Sequence, residues 1–206
     1  PVNDAPIVVN ATAGVAESGL PGGLLDGGSV PAPTRATGTM TLSDVDGSVT
    51  SVAVTGPTGL TSNGVPIAWA GSFAGGVYTL TGTAGGATVA VLTLGTSAAY
   101  SFDLARPTDH QAAGQDLLAL GFVVTATDNG GASSNGLLTV EVRDDGPVAQ
   151  PADHFVVGVP GQASGDLVVG YGADGGHVQS ITLGTYTLTF GPGAGAGTGG
   201  GTLGTV

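Results

Sequence analysis

Acidic and amide side chains recur here at short spacings: Asn3-Asp4 ahead of Pro6, Asp44-Val45-Asp46-Gly47, Asp128-Asn129-Gly130, and Asp144-Asp145-Gly146-Pro147. Their oxygens are hard ligands, and Ca²⁺ takes about 6–8 of them. In extended backbone, residues i and i+2 point the same way, so Asp44 and Asp46 can converge on one ion. The same four residues also make an ordinary polar turn, in which Asp bonds to nearby backbone. Asp128-Asn129-Gly130 closes a strand-like run, and a type I′ hairpin turn at Asn129-Gly130 accounts for it equally well. If Asn3, Asp4, Asp44, Asp46 and Asp128 meet at one pole, they approach the donor set of one Ca²⁺. Glu17 ends the first strand region and reaches the opposite pole, where Asp144 and Asp145 would join it in a second, weaker site. Its alternative is a solvated surface carboxylate.

Other chemistries find less support. His110, His154 and His177 are scattered. Asp109-His110 with Ser101 lacks a nucleophile elbow or oxyanion signature, so this pair is expected to fix the loop between Leu104 and Leu118. Zinc needs clustered His or Cys, and no such cluster shows in the sequence. The Gly-rich run Gly191–Gly201 lacks the Lys and following helix of a phosphate loop. The chain is therefore expected to be non-catalytic.

Composition points the same way. The chain has three Arg, no Lys, thirteen Asp and two Glu among 206 residues, for a net charge of −12. So little basic charge argues against nucleic-acid partners and against docking on anionic lipid. No apolar run approaches the ~20 residues that span a bilayer. Closely set Asp needs a cation to offset repulsion, and weak Ca²⁺ sites suit an extracellular setting. No charged-plus-apolar leader opens the sequence, which is expected to be an internal part of a longer chain.

The elements that must position these residues are strands. Gly is 40 of 206 and separates short runs: Ile7–Thr12, Thr37–Leu42, Val49–Thr55, Val77–Thr81, Ala87–Leu94, Ala98–Leu104, Phe122–Thr127 and Leu137–Val142. Their spacing predicts an all-β antiparallel sandwich over residues 1–146. Trp69, Phe73, Tyr78, Tyr100, Phe102 and Phe122 are its expected large core residues. Gln115–Leu120 is the one helix-friendly stretch, and it is too short to matter. Pro147 after two Asp marks a boundary. Residues 147–206, with runs at Ala152–Val159, Gly165–Val169, Val178–Leu183 and Tyr186–Phe190, are expected to be the incomplete start of a further β module with a Gly-rich tail.

The Asn3-Asp4-Ala5-Pro6 hinge, the Asp44-x-Asp46 turn and Ala126-Thr127-Asp128-Asn129-Gly130 resemble the cadherin scheme of calcium between domains. A wider match is similar to the Ig-like/cadherin-like repeats of giant repeats-in-toxin adhesins exported by type I secretion. It rests on Glu17–Gly23, Leu42–Gly47, Tyr100–Leu104, Pro107–His110, Asp116–Leu118, Phe122–Asp128, Asp144–Pro147 and Gly172–Gly175. That resemblance implies an Ig-like/cadherin-like sandwich and Ca²⁺ as cofactor. It also implies partners in neighbouring repeats of the same chain, with host or biofilm surface glycans as further partners of the parent protein, and a place outside the cell, secreted or on the bacterial surface. The cadherin pattern has an acidic motif feeding the C-terminal joint, and Asp103 is its nearest counterpart here. The expected function is a calcium-stabilised extender repeat of a large adhesin, in tandem array, serving cell adhesion and biofilm. The alternative is a carbohydrate-binding module using Trp69.

Overall fold

In the computed structural model the described residues are 2–24, 32–111, 115–146, 148–149, 156–159, 162–164, 169–175, 180–183 and 186–189. Thirteen strands make up the first unit: β1 (Ile7–Val9), β2 (Ala11–Ala16), β3 (Arg35–Thr39), β4 (Thr41–Ser43), β5 (Val49–Thr55), β6 (Thr61–Ser62), β7 (Val65–Pro66), β8 (Ala68–Ala74), β9 (Val77–Ala84), β10 (Ala87–Gly95), β11 (Ala99–Leu104), β12 (Leu117–Asp128) and β13 (Ser133–Arg143). Two sheets carry the fold, one in the order β3-β11-β10-β9-β8 and the other β2-β13-β12-β5. The expected β-sandwich is what forms, with one exception to antiparallel pairing: β2 runs parallel to β13, from Leu138↔Ala11 to Arg143↔Ala16.

Period-2 alternation sets the core. In β12, Leu120, Phe122, Val124 and Ala126 are buried, while Val123 between them is 42% exposed. Leu138, Val140 and Val142 of β13 face the same interior, opposite Leu92, Leu94, Tyr100, Phe102 and Leu104 of the five-stranded sheet. Phe122 joins the layers: its ring lies edge-on to Trp69, with centroids 5.3 Å apart, and tilted against Phe102 at 5.8 Å. Phe73 departs from expectation. It is 40% exposed because it sits near the end of β8, an outer strand.

Three differences have physical causes. The expected runs Ile7–Thr12 and Thr37–Leu42 are each broken in two. Asn10 interrupts the first, its Oδ1 accepting the Leu137 N–H at 2.8 Å. Buried Met40 interrupts the second, its N–H donated to the Ala98 carbonyl at 2.9 Å. Each break lets the chain change partners, so that β1 and β4 pair with each other instead. The helix-friendly Gln115–Leu120 is largely strand, because Leu117 to Leu120 pair with Arg143 to Val140 of β13; tertiary pairing overrides local propensity. Strand β8 (AWAGSFA) is poor in β-branched residues and went unrecognised. Its neighbours place it: Gly75-Gly76 (φ 58°, 80°) and Gly85-Gly86 (φ 57°, 82°) are left-handed at both central positions, the requirement of two-residue type I′ hairpins. They fold β8, β9 and β10 into a meander.

Trp69 lies across β9 at Gly82, its register partner. A Cβ at Gly82, or at Gly56 at the end of β5, would run into the indole. Gly82→Ala is therefore expected to cost about 1–3 kcal/mol by overpacking, read as a lower urea midpoint with an unchanged slope. A loss under ~0.5 kcal/mol would show that the indole is free to move.

Beyond residue 146 the described segments form three two-stranded pairings: β14 (Val148–Ala149) with β17 (Val169–Gly170), β15 (Val156–Val159) with β16 (Gln162–Ser164), and β18 (Ser180–Leu183) with β19 (Tyr186–Thr189). Pro147, the first part of the expected run Ala152–Val159, most of Gly165–Val169 and the Gly-rich tail from residue 191 lie outside the described residues. Residues 170–175 return to the first unit, where Ala173 packs against the main core.

Candidate metal centres at the two poles

The N-terminal joint is built by the turn between β4 and β5, the β12–β13 hairpin and the hinge before β1. The hairpin has no type I′ turn. Neither Asn129 nor Gly130 has positive φ, whereas Gly131 does (φ 89°). Asp128 N–H bonds to the Ala132 carbonyl at 3.0 Å, closing a three-residue loop of the kind that ends in a left-handed Gly. That loop turns the Asp128 carboxylate inward, where it is 3% exposed. Its Oδ1 accepts the Ala132 N–H at 2.9 Å and its Oδ2 accepts Asn3 Nδ2 at 2.8 Å. Burial alone would raise its pKa; hydrogen bonds from Asn3, Ala132, Gly130 and Gly131 outweigh burial and hold it below the ordinary carboxylate value.

The hinge is tied on the other side, where the Asp4 N–H approaches both oxygens of Asp46 at 3.3 Å. Asn129 locks the two loops together, its Oδ1 accepting the Ser48 N–H at 2.9 Å. Asp44 is the exception: both carboxylate oxygens are sealed from solvent and neither accepts a hydrogen bond. All five residues expected at this joint are thus on one pole, although Asn3, Asp4 and Asp46 are exposed. A buried, unpaired charge costs free energy, and a cation beside Asp44 would offset it; among the described residues no three carboxylates of this pole bring ligand atoms within 4.8 Å of one another.

The C-terminal joint is more enclosed. A 3-10 turn, Glu17–Gly19, follows β2 and carries Glu17 to 0% exposure. The solvated-carboxylate alternative for Glu17 is therefore overturned. Glu17 Oε1 accepts Thr108 N–H and Thr108 Oγ1, both at 2.8 Å, while Oε2 has no hydrogen bond. Asp144 and Asp145 are 9% and 1% exposed. Asp145 ties two loop segments, accepting Leu24 N–H at 2.6 Å and Ala173 N–H at 3.0 and 3.1 Å. Asp144 accepts the Asp145 N–H at 2.7 Å. Burial raises its pKa, against the Asp145 N–H and the charge of His110.

Asp103 does not join this group. It sits opposite Arg35 in the β11–β3 register and pairs with that guanidinium at 3.4 Å. The sheet register places its side chain on the outer face, which corrects the expectation for this residue.

His110 was missed as a site residue, as were Asp116 and Asp174. Asp109 does fix the loop as expected, accepting the Gly64 N–H at 2.8 Å. His110 fixes it too, its Nδ1 hydrogen-bonded to Asp116 Oδ1 within the same loop, and its side chain also turns inward to 3% exposure, with Nε2 3.4 Å from Glu17 Oε1. Glu17, His110 and Asp144 each bring one ligand atom within 4.8 Å of the others, the one such group of three among the described residues. Their separations in sequence, 93 and 34 residues, left no local signal. Asp174 comes from the Gly172–Gly175 turn. The residue as a whole is exposed, yet loss of solvent around its carboxyl, then the charges of Glu17 and Asp144, push its pKa up to about 7.

A pH dependence follows for the cation-free chain. Burial opposes the charge on His110, but Glu17, Asp116 and Asp144 together raise its pKa from 6.5 to about 9. A raised pKa contributes stability that is fully present below 6.5 and is lost as the pH climbs through about 9. In chelator, the urea midpoint should fall between pH 6.5 and 9, and His110→Gln should flatten that fall. A midpoint that rises over this range in the parent chain would refute the pairing.

The two joints lie at opposite ends of β13, eleven residues and roughly 35 Å long at ~3.3 Å per residue. The chain matches no family model, no curated protein and no solved structure in the comparisons made.

Proposed function

We propose that this chain is a calcium-stabilised extender repeat of a large bacterial adhesin, secreted or displayed at the cell surface, with neighbouring repeats as its partners. One observation carries the proposal: β13 holds two carboxylate clusters apart, and each contains a sealed, unpaired carboxylate oxygen, on Asp44 at one end and Glu17 at the other. Carboxylates gathered where a chain enters and leaves a β unit do no work for a stand-alone core. They do fit cations that stiffen the joints. At the N-terminal joint Asn3, Asp4, Asp44, Asp46 and Asp128 would hold Ca²⁺, which neutralises charge and supplies no chemistry. Asp145 adds a direct tie, since it bonds residues on both sides of the hinge at Leu24 and Ala173. The resemblance to repeats-in-toxin adhesins supports export by type I secretion and a role in adhesion and biofilm.

Small-angle scattering from two consecutive repeats tests this. Chelated protein should show a distribution of bend angles that narrows and lengthens when Ca²⁺ is added. Identical profiles with and without Ca²⁺ would refute the extender role.

The carbohydrate-binding alternative has weaker support. A pocket of about 400 Å³ lies beside Trp69, with Pro57, Ile67 and Tyr78 in its lining. The indole itself is engaged in packing against Gly56, Gly82 and Phe122.

A further inference from the structure

We infer that Glu17, His110 and Asp144 form a binding site for a borderline transition-metal ion of the Zn²⁺ type, chemically distinct from the all-oxygen cluster at the N-terminal joint. The inference does not depend on calcium binding at that other joint.

The donor set decides the ion. Ca²⁺ wants about 6–8 oxygens and often a bidentate carboxylate. Here Glu17 Oε1 is already occupied by both donors of Thr108, so Glu17 offers a single oxygen. The third donor is an imidazole nitrogen, which suits Zn²⁺, Cu²⁺, Ni²⁺ or Fe²⁺ far better than Ca²⁺. The observation that points to a ligand is Glu17, 0% exposed with Oε2 unpaired; in the cation-free chain His110 Nε2, on a side chain 3% exposed, faces Glu17 Oε1 at 3.4 Å without a hydrogen bond, and a metal ion would take the place of its proton. Asp116 completes the arrangement from behind. It engages Nδ1 of His110, so that with the proton on Nδ1 the Nε2 lone pair is turned toward Glu17. A carboxylate on the far nitrogen of a metal-bound histidine is the usual outer support of such sites. The three ligand atoms lie within 4.8 Å of one another. Bonds of ~2.0–2.1 Å in a tetrahedral site place donors roughly 3.3 Å apart, so the widest separation must close by up to about 1.5 Å.

The experiment titrates Zn²⁺ into the chelator-stripped full chain by calorimetry, with and without millimolar Ca²⁺. One Zn²⁺ should bind with an affinity that Ca²⁺ leaves unchanged. His110→Gln should abolish binding, and Asp116→Asn should weaken it about 10–100-fold. The double variant His154→Gln/His177→Gln, which spares His110, should bind normally, as should Asp44→Ala. Since His110 variants could fail to fold, the parent chain supplies a second readout: the Nε2 resonance of His110 should shift with Zn²⁺ and not with Ca²⁺. Displacement of Zn²⁺ by Ca²⁺, loss of binding in the double histidine variant or in Asp44→Ala, or an unmoved His110 resonance would each overturn the assignment.

Discussion

Adding Ca²⁺ to the chelated chain should raise its unfolding free energy by about 2.7 kcal/mol per site at a hundredfold excess over Kd, and Asp44→Ala should remove that gain at the N-terminal joint. Two of the four acidic residues there, Asp44 and Asp128, should behave differently without the ion. Both Asp44 oxygens are sealed and unpaired, so its removal relieves a buried charge, and Asp44→Ala should make the chelated chain more stable by about 1–3 kcal/mol. Asp128 is already satisfied by Asn3 and Ala132; Asp128→Ala should lower stability in chelator and also abolish the Ca²⁺ response. Thermal or urea unfolding in the two buffers reads all four combinations. An unchanged midpoint on adding Ca²⁺ to the parent chain would refute the calcium site. A chelated Asp44→Ala chain that is less stable than its parent would show that the carboxylate has a partner in the protein.

The largest loss from a single truncation is expected at Phe122. The side chain is 0% exposed and touches aromatic partners at 5.3 and 5.8 Å. Aromatics are only 5% of the sequence, so few other rings are on hand to fill the gap. Phe122→Ala should cost about 3–5 kcal/mol. Val123→Ala, one residue away on the outer face, should stay within about 0.5 kcal/mol. Urea midpoints at equal slope make the comparison, and equal effects at the two positions would refute the register of β12. Trp69→Ala extends the test to the carbohydrate alternative. Its indole packs between layers, so truncation should destabilise the fold whether or not a glycan is present.

The sandwich was legible because several of its strands state their period plainly. Val49–Thr55 was read with both boundaries correct, since Val and polar residues alternate and Gly or Ser-rich turns bracket it. Where the chain changes sheets, at Asn10 and Met40, nothing local distinguishes a break from a continuous strand; the deciding hydrogen bonds go to Leu137 and Ala98. Asn3, Asp4, Asp44, Asp46 and Asp128 come to one pole because they flank or end β1, β4, β5 and β12, and strand ends gather at poles. Asp103 failed for the complementary reason. It lies inside β11, where the pleat, and not the sequence neighbourhood, decides its face. His110 was unreadable: a single histidine in an irregular loop, bonded to Asp116 six residues on, acquires its meaning only when Glu17 and Asp144 arrive from two other parts of the chain.

The parallel pairing of β2 with β13 has a mechanical consequence. The chain enters the four-stranded sheet through β2 and leaves it through β13, and six register pairs join the two strands. Because the strands run the same way, tension applied between the ends of the unit slides one along the other. The hydrogen bonds are loaded in shear and must yield together, whereas an antiparallel terminal hairpin would peel apart one pair at a time. A tether that bears load through this unit therefore meets its strongest seam first.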